Sequence, residues 1–148
     1  MKTLTFLVAE NDPNDIALLQ KAFQSTRIDS PVRFCENGEE LIQYLKGDGK
    51  FSDREQYPFP RVLITDLKMP RCGGFEVLQW LQNNPKCNVI PCIVMSNSDA
   101  DKDVERAFKL GATAYFRKPD SFTKLCEIVR LNWNYWTESL LPTRSEVC

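Results

Sequence analysis

The chain has 148 residues, 43% of them hydrophobic and 26% charged, with a formal net charge of −1. That length suits one domain whose apolar core needs neither a disulfide nor a metal, and the near-neutral charge provides no general attraction to nucleic acid or an anionic membrane. The absence of histidine excludes Ser-His-Asp and Cys-His nucleophilic systems, histidine metal sites and histidine phosphocarriers. No apolar run approaches the ~20 residues of a membrane span. Met1 to Val8 lacks the extended apolar region of a signal peptide, so a cytoplasmic location is the expectation. The six cysteines form no C-x-x-C pair and match no structural zinc spacing, and read as scattered reduced thiols.

In chain order, Thr3 to Ala9 is a short apolar run of strand formers, closed by the polar cluster Glu10 to Asp15. Asp12 can cap a helix that has Pro13 at its first position, with Ile16, Leu19 and Phe23 along its buried face. Pro31 to Cys35 reads as a second strand, and the helix after it starts near Gly38 and carries Leu41, Ile42 and Leu45. Gly47 to Pro60 reads as a long surface loop. Arg61 to Thr65 is a third strand whose continuous apolar centre suits burial on both faces. After the turn from Asp66 to Gly74, a helix presents Phe75, Leu78 and Leu81. Val89 to Met95 is a fourth strand, followed by a helix with Val104, Ala107 and Phe108, which stops at Gly111. Thr113 to Phe116 is a fifth strand. A last helix starts at Asp120 or Ser121 and runs through Leu125, Ile128, Val129 and Trp133.

Strand and helix thus alternate five times, which predicts an α/β fold with a parallel sheet covered by helices on both faces. In such folds sites form beyond the carboxyl ends of the strands, at the topological switch point. The residues there are Glu10, Asn11 and Asp12 after the first strand, Asp66 after the third, Ser96 after the fourth and Lys118 after the fifth. Clustered carboxylates repel one another unless a cation neutralises them, and a hard ion such as Mg2+ suits this oxygen-rich, partly hydrated setting. Such a rim can transfer a phosphoryl group onto Asp66, with Mg2+ and Lys118 offsetting the charge on the phosphoryl oxygens. The new oxygens would then attract Ser96 and Lys118 and pull their loops inward.

The segments FLVAENDPND, VLITDLKMPRCGGFEVL, IVMSNS and GATAYFRKP resemble the receiver domain of a two-component response regulator. The resemblance implies the flavodoxin-like (βα)5 doubly wound sandwich with a central five-stranded parallel sheet. It implies Asp66 as phosphoacceptor, Lys118 as the phosphate-binding lysine, Ser96 as the switch hydroxyl and Tyr115 as the aromatic that moves with it. For Mg2+ it implies Glu10, Asn11, Asp66 and the backbone carbonyl of Lys68. The family usually has two adjacent acidic residues after the first strand. Here Asn11 holds the second position, which weakens Mg2+ binding unless the register shifts to bring in Asp12.

The long loop before the third strand and the aromatic stretch Asn132 to Trp136 are similar to the small stand-alone regulators of phytochrome-type histidine kinases. That likeness implies a sensor kinase as phosphodonor, a place in a phosphorelay, and a homodimer through the last strand and helix region. A receiver over residues 1–137 and a short tail over 138–148 leave no room for an output domain, so the output is expected to be a protein contact, with no nucleic acid or membrane as partner. No enzyme activity is expected beyond slow self-catalysed phosphotransfer and dephosphorylation. The alternative is a pseudo-receiver that takes no phosphate and acts as a constitutive interaction module, a reading that Asn11 keeps open. A haloacid-dehalogenase-like phosphatase would want an aspartate two residues after the nucleophile, where Lys68 stands. A flavodoxin-like cofactor binder would want a Gly-rich phosphate loop after the first strand, and none follows.

Overall fold

A computed structural model describes residues 4–26 and 31–142. Thr3, the start of the expected first strand, Cys148 and residues 143–148 of the expected tail lie outside the described residues. The elements are β1 (Phe6–Ala9), α1 (Pro13–Ser25), β2 (Val32–Cys35), α2 (Gly38–Lys46), a 3-10 turn (Gly49–Ser52), β3 (Val62–Thr65), α3 (Gly74–Gln82), β4 (Cys92–Ser96), α4 (Asp101–Lys109), β5 (Ala114–Arg117) and α5 (Phe122–Glu138). The strands form one parallel sheet in the order β2-β1-β3-β4-β5. The expected five-fold βα alternation is therefore present. The order reverses between β1 and β3, so the chain segments leaving those two neighbours diverge and open a crevice at their carboxyl ends.

The two-residue period of the strands divides the core. Leu7, Ala9, Leu63 and Val94 face α2 and α3, where they meet Leu41, Leu45, Val77 and Leu78. Phe6, Val8, Ile64, Ile93 and Met95 point the other way, against Leu19 and Phe23 of α1 and Ile128 and Val129 of α5. Every residue of β3 is buried, as its unbroken apolar run predicts. Full burial of each such side chain contributes roughly 1.5–3 kcal/mol. The edge strands β2 and β5 are mostly half-buried.

Several local expectations are corrected. The fourth strand begins at Cys92 rather than Val89, because the backbone before Pro91 bends into turns that pair Cys87 and Asn88 with Asn84. Phe108 is 48% exposed: of α4 only Ala107 is fully buried, since this helix turns most of its surface outward. The aromatic stretch Asn132 to Trp136 continues α5 beyond Trp133, and Trp133 and Trp136 pack partly against the core. Cys35, Cys72, Cys92 and Cys126 are free thiols, as expected. Cys87 is disulfide-bonded, against the sequence reading, because pairing depends on spatial approach and not on local spacing.

Gly47 to Pro60 is not simply a surface loop either. Phe51 and Phe59 are buried, and the rings of Tyr44, Phe51 and Tyr57 contact one another within 6 Å. The Arg54 guanidinium donates to the carbonyls of Tyr44 at 2.9 Å and Leu45 at 3.2 Å, in the last turn of α2, where backbone acceptors lack a full set of helical partners. The same guanidinium lies over the Tyr44 and Phe59 rings. Hydrogen bonds from a charged group are worth about 1.5–3 kcal/mol. Arg54→Ala is therefore expected to lower the unfolding free energy by about that amount in urea titration.

The turn after β3 depends on two glycines. A Cβ on Gly74 would lie 2.3 Å from the Asp66 carbonyl oxygen, and one on Gly73 would lie 2.6 Å from that of Leu67. Gly74 N–H donates to the Leu67 carbonyl at 2.9 Å, so α3 starts hard against the backbone that carries Asp66. Gly74→Ala is expected to cost about 2–3 kcal/mol through forced backbone movement. Calorimetric unfolding checks this, and a loss under ~0.5 kcal/mol would contradict the close-packed turn.

Candidate functional site

Each strand end delivers one piece of the site, because parallel strands in register finish at the same edge of the sheet. Asp66 N–H donates to the Ala9 carbonyl at 3.1 Å and Glu10 N–H to that of Cys35 at 2.9 Å. These bonds extend the ladder one step and fix both acids beside the crevice. Lys118 N–H donates to the Ser96 carbonyl at 2.7 Å, which ties the end of β5 to that of β4. Asp12 caps α1 by accepting from Asn14 N–H at 2.8 Å, and Pro13 occupies the first turn.

The side chains converge on one ammonium. Lys118 Nζ lies 2.9 Å from Glu10 Oε1, 2.7 Å from Asp15 Oδ2 and 2.9 Å from Asp66 Oδ2. Glu10 is almost fully buried and Asp66 nearly so, while Asp15 is about a third exposed. Burial raises the Glu10 pKa to about 8, against the pull of Lys118. Burial alone would lower the Lys118 pKa, but its hydrogen bonds to Asp15, Asp66 and Glu10 hold it above the usual lysine value. Burial likewise works against the Asp15 charge, and the contact with Lys118 outweighs it, so Asp15 sits below the usual carboxylate range. The other Asp66 oxygen, Oδ1, accepts from Leu67 N–H at 2.7 Å. The carboxylate is thus oriented from both ends.

A cavity of about 470 Å3 opens in front of this group, lined by Glu10, Asn11, Asp12, Asp66, Lys68, Ser96 and Lys118 among others. The structure brings all the sequence-predicted rim residues to one place. Tyr115 stands apart from the cavity lining and reaches it through the β4–α4 loop. Its hydroxyl donates to the Ser98 carbonyl at 2.7 Å. Ser98 N–H donates to Ser96 Oγ at 3.2 Å, and Ser98 Oγ bonds Asp103 Oδ2 at 2.6 Å. Ser98 therefore links the Ser96 hydroxyl, Tyr115 and the start of α4.

Asp15 was missed as a site residue. It stands in the first turn of α1, three residues past the capping Asp12, where a helix that starts at the sheet edge turns a side chain back over the strand ends. That spacing is the signal from which it could have been found.

The donor set fits a hard divalent cation. The two buried acids Glu10 and Asp66 share one open cavity with Asn11 and Lys68, and their carboxyl groups already gather round a positive charge. Among the described residues no group of three or more His, Cys, Asp or Glu side chains forms a metal cage. Mg2+ is usually held by one or two carboxylates and keeps several waters, and Glu10 and Asp66 supply two buried carboxyl groups. One Asp12 oxygen is committed to the helix cap, and Asp12 lines the same cavity.

The comparisons with known proteins agree with this geometry. A response regulator in red light signaling of R. palustris superposes with a TM-score of 0.89 at 32% identity, over 95% of this chain and 99% of its own. The phosphorylated cyanobacterial phytochrome response regulator RcpA gives 0.86 at 25% identity, over 96% and 100% of the two chains. Response regulator Rcp1 of Synechocystis is 26% identical over 90% of this chain and 89% of its own, and its Mn(2+)-bound form superposes at 0.81, over 95% and 99%. The family model of the response regulator receiver domain matches residues 6–130. With the sheet order, the rim and this match in agreement, the chain belongs to the response regulator receiver domain family.

Proposed function

We propose that this receiver is a phosphorylation switch in which Asp66 accepts a phosphoryl group from a sensor histidine kinase. The observation that carries the reading is the contact of Lys118 Nζ with Asp66 Oδ2 at 2.9 Å, at the floor of an open cavity. Mg2+ held by Glu10, Asp66, Asn11 and the Lys68 carbonyl would supply charge neutralisation for the phosphoryl oxygens. Asp66 attacks phosphorus, the bond to the donor breaks and the acyl phosphate carries the transferred group. Lys118 then pairs with a phosphoryl oxygen in place of the lost carboxylate charge. Ser96 turns its hydroxyl toward another oxygen, which weakens its acceptance of Ser98 N–H. Ser98 carries that change to Tyr115 and to Asp103 of α4.

The phytochrome-type regulators among the similar proteins support a phytochrome-type kinase as donor and a place in a phosphorelay. Exposed Leu131 and Tyr135 on α5 support a homodimer through β5 and α5. The reading has a receiver over residues 1–137 that works by protein contact in the cytoplasm. Turnover is limited to slow self-catalysed transfer and loss of phosphate. No helix among the described residues is long and apolar enough to cross a membrane.

Intact-mass measurement with Mg2+ and a small phosphodonor is expected to show one phosphoryl group on the wild type and none on Asp66→Asn. No adduct at any Mg2+ concentration would favour the constitutive interaction module instead. Tyr115→Phe is expected to keep phosphoryl uptake while losing about 0.5–1.5 kcal/mol of stability with the bond to Ser98. Phosphorylation and urea unfolding, run on the same preparation, check both halves.

A further inference from the structure

We infer that Asp15 is a positioning residue for the metal site: it shares the Lys118 ammonium with Glu10 and Asp66 and keeps a partner for it when Mg2+ takes those two carboxylates. The inference rests on the reading of the rim as an Mg2+ site and adds to it a residue on another element.

Three observations carry it. The contact of Asp15 with Lys118, at 2.7 Å, is the shortest of the three carboxylate contacts. Asp15 approaches from the α1 side. Besides lining the large cavity, it forms with Lys118, Leu18, Leu19, Met95, Pro119 and Leu125 a second, smaller cleft of about 50 Å3. Lys118 borders both spaces, with Asp15 beside it in each. The third observation is Asn11, a neutral side chain in the same cavity. With the amide there, the carboxyl groups in contact with the ammonium among the described residues are those of Glu10, Asp15 and Asp66.

The electrostatics follow. An ammonium and a divalent cation compete for the same two buried carboxylates, and like charges repel. A carboxylate that pulls the ammonium aside lowers that repulsion and adds a negative charge to the neighbourhood. Asp15→Asn removes both effects. The amide still accepts a hydrogen bond but holds Lys118 weakly, so the ammonium settles on Glu10 and Asp66 and resists displacement. Groups that act on a metal site through its ligands typically change metal affinity by about 10–100-fold.

The test is calorimetric titration of Mg2+ into the unphosphorylated protein, with no phosphodonor present. Asp15→Asn is expected to raise the Mg2+ dissociation constant about tenfold over wild type. In the background of Lys118→Met, or of Lys118→Gln, which keeps a polar head for the carboxylates, the same substitution is expected to change it less than about twofold. A wild type and an Asp15→Asn variant that bind Mg2+ equally overturn the inference. So does an undiminished Asp15→Asn effect once Lys118 is gone, because Asp15 would then act by its charge alone. A wild type that binds no Mg2+ overturns the metal reading itself, and this inference with it.

Discussion

The shared ammonium of Lys118 is the interaction on which the rest of the site depends. Carboxylates brought to one sheet edge cannot stay ionised beside one another without a counter-charge. Lys118 supplies it to Glu10, Asp15 and Asp66 at once. A buried charge stripped of its partner costs about 3–5 kcal/mol, so the lysine holds the end of β5 against the ends of β1 and β3 as well as balancing charge. The arrangement is poised because the ammonium's partners differ. Glu10 is buried, Asp66 lies at the cavity floor, and Asp15 is partly solvated on a helix. A phosphoryl group arriving at Asp66 changes the terms of that competition directly.

The scaffold explains why these residues meet. The strand order reverses between β1 and β3, and the acids that follow those strands face each other across the crevice. β3 is buried throughout, so Asp66 is presented from the interior of the sheet. The Gly73-Gly74 pair lets α3 start against the Asp66–Leu67 backbone, which shuts that side of the site. The opposite side is a polar loop in which Ser98 bonds Ser96, Tyr115 and Asp103. One wall is fixed by packing and the other by hydrogen bonds that a new anion can rearrange.

Much of this was legible in the sequence. The unbroken apolar run of Val62 to Ile64 marks a strand covered on both faces, and the alternation of elements then fixes which ends share an edge. Once that edge is known, Asp66, Lys118, Ser96 and Glu10 follow, since each stands at or next to a strand end. Asp15 was harder to see because it lies on a helix, and its approach to Lys118 depends on how α1 leaves the sheet. The segment from Gly47 to Pro60 looked like loop because its glycines, prolines and charges hide two buried aromatics and a capping arginine. Phe108 was misplaced by helical periodicity, which finds an apolar stripe but not whether anything covers it. The pairing of Cys87 depends on distances that no local spacing encodes.

The central claim is that the Lys118 ammonium leaves its carboxylate partners for a phosphoryl group on Asp66. A crystal structure with Mg2+ and beryllium trifluoride, a phosphoryl mimic, tests it most directly. The account predicts the mimic on an Asp66 oxygen, Lys118 Nζ and the Ser96 hydroxyl both within hydrogen-bond distance of its fluorines, and the contact with Asp15 broken. A mimic absent from Asp66, or a Lys118 still held by Glu10, Asp15 and Asp66 together, would contradict it.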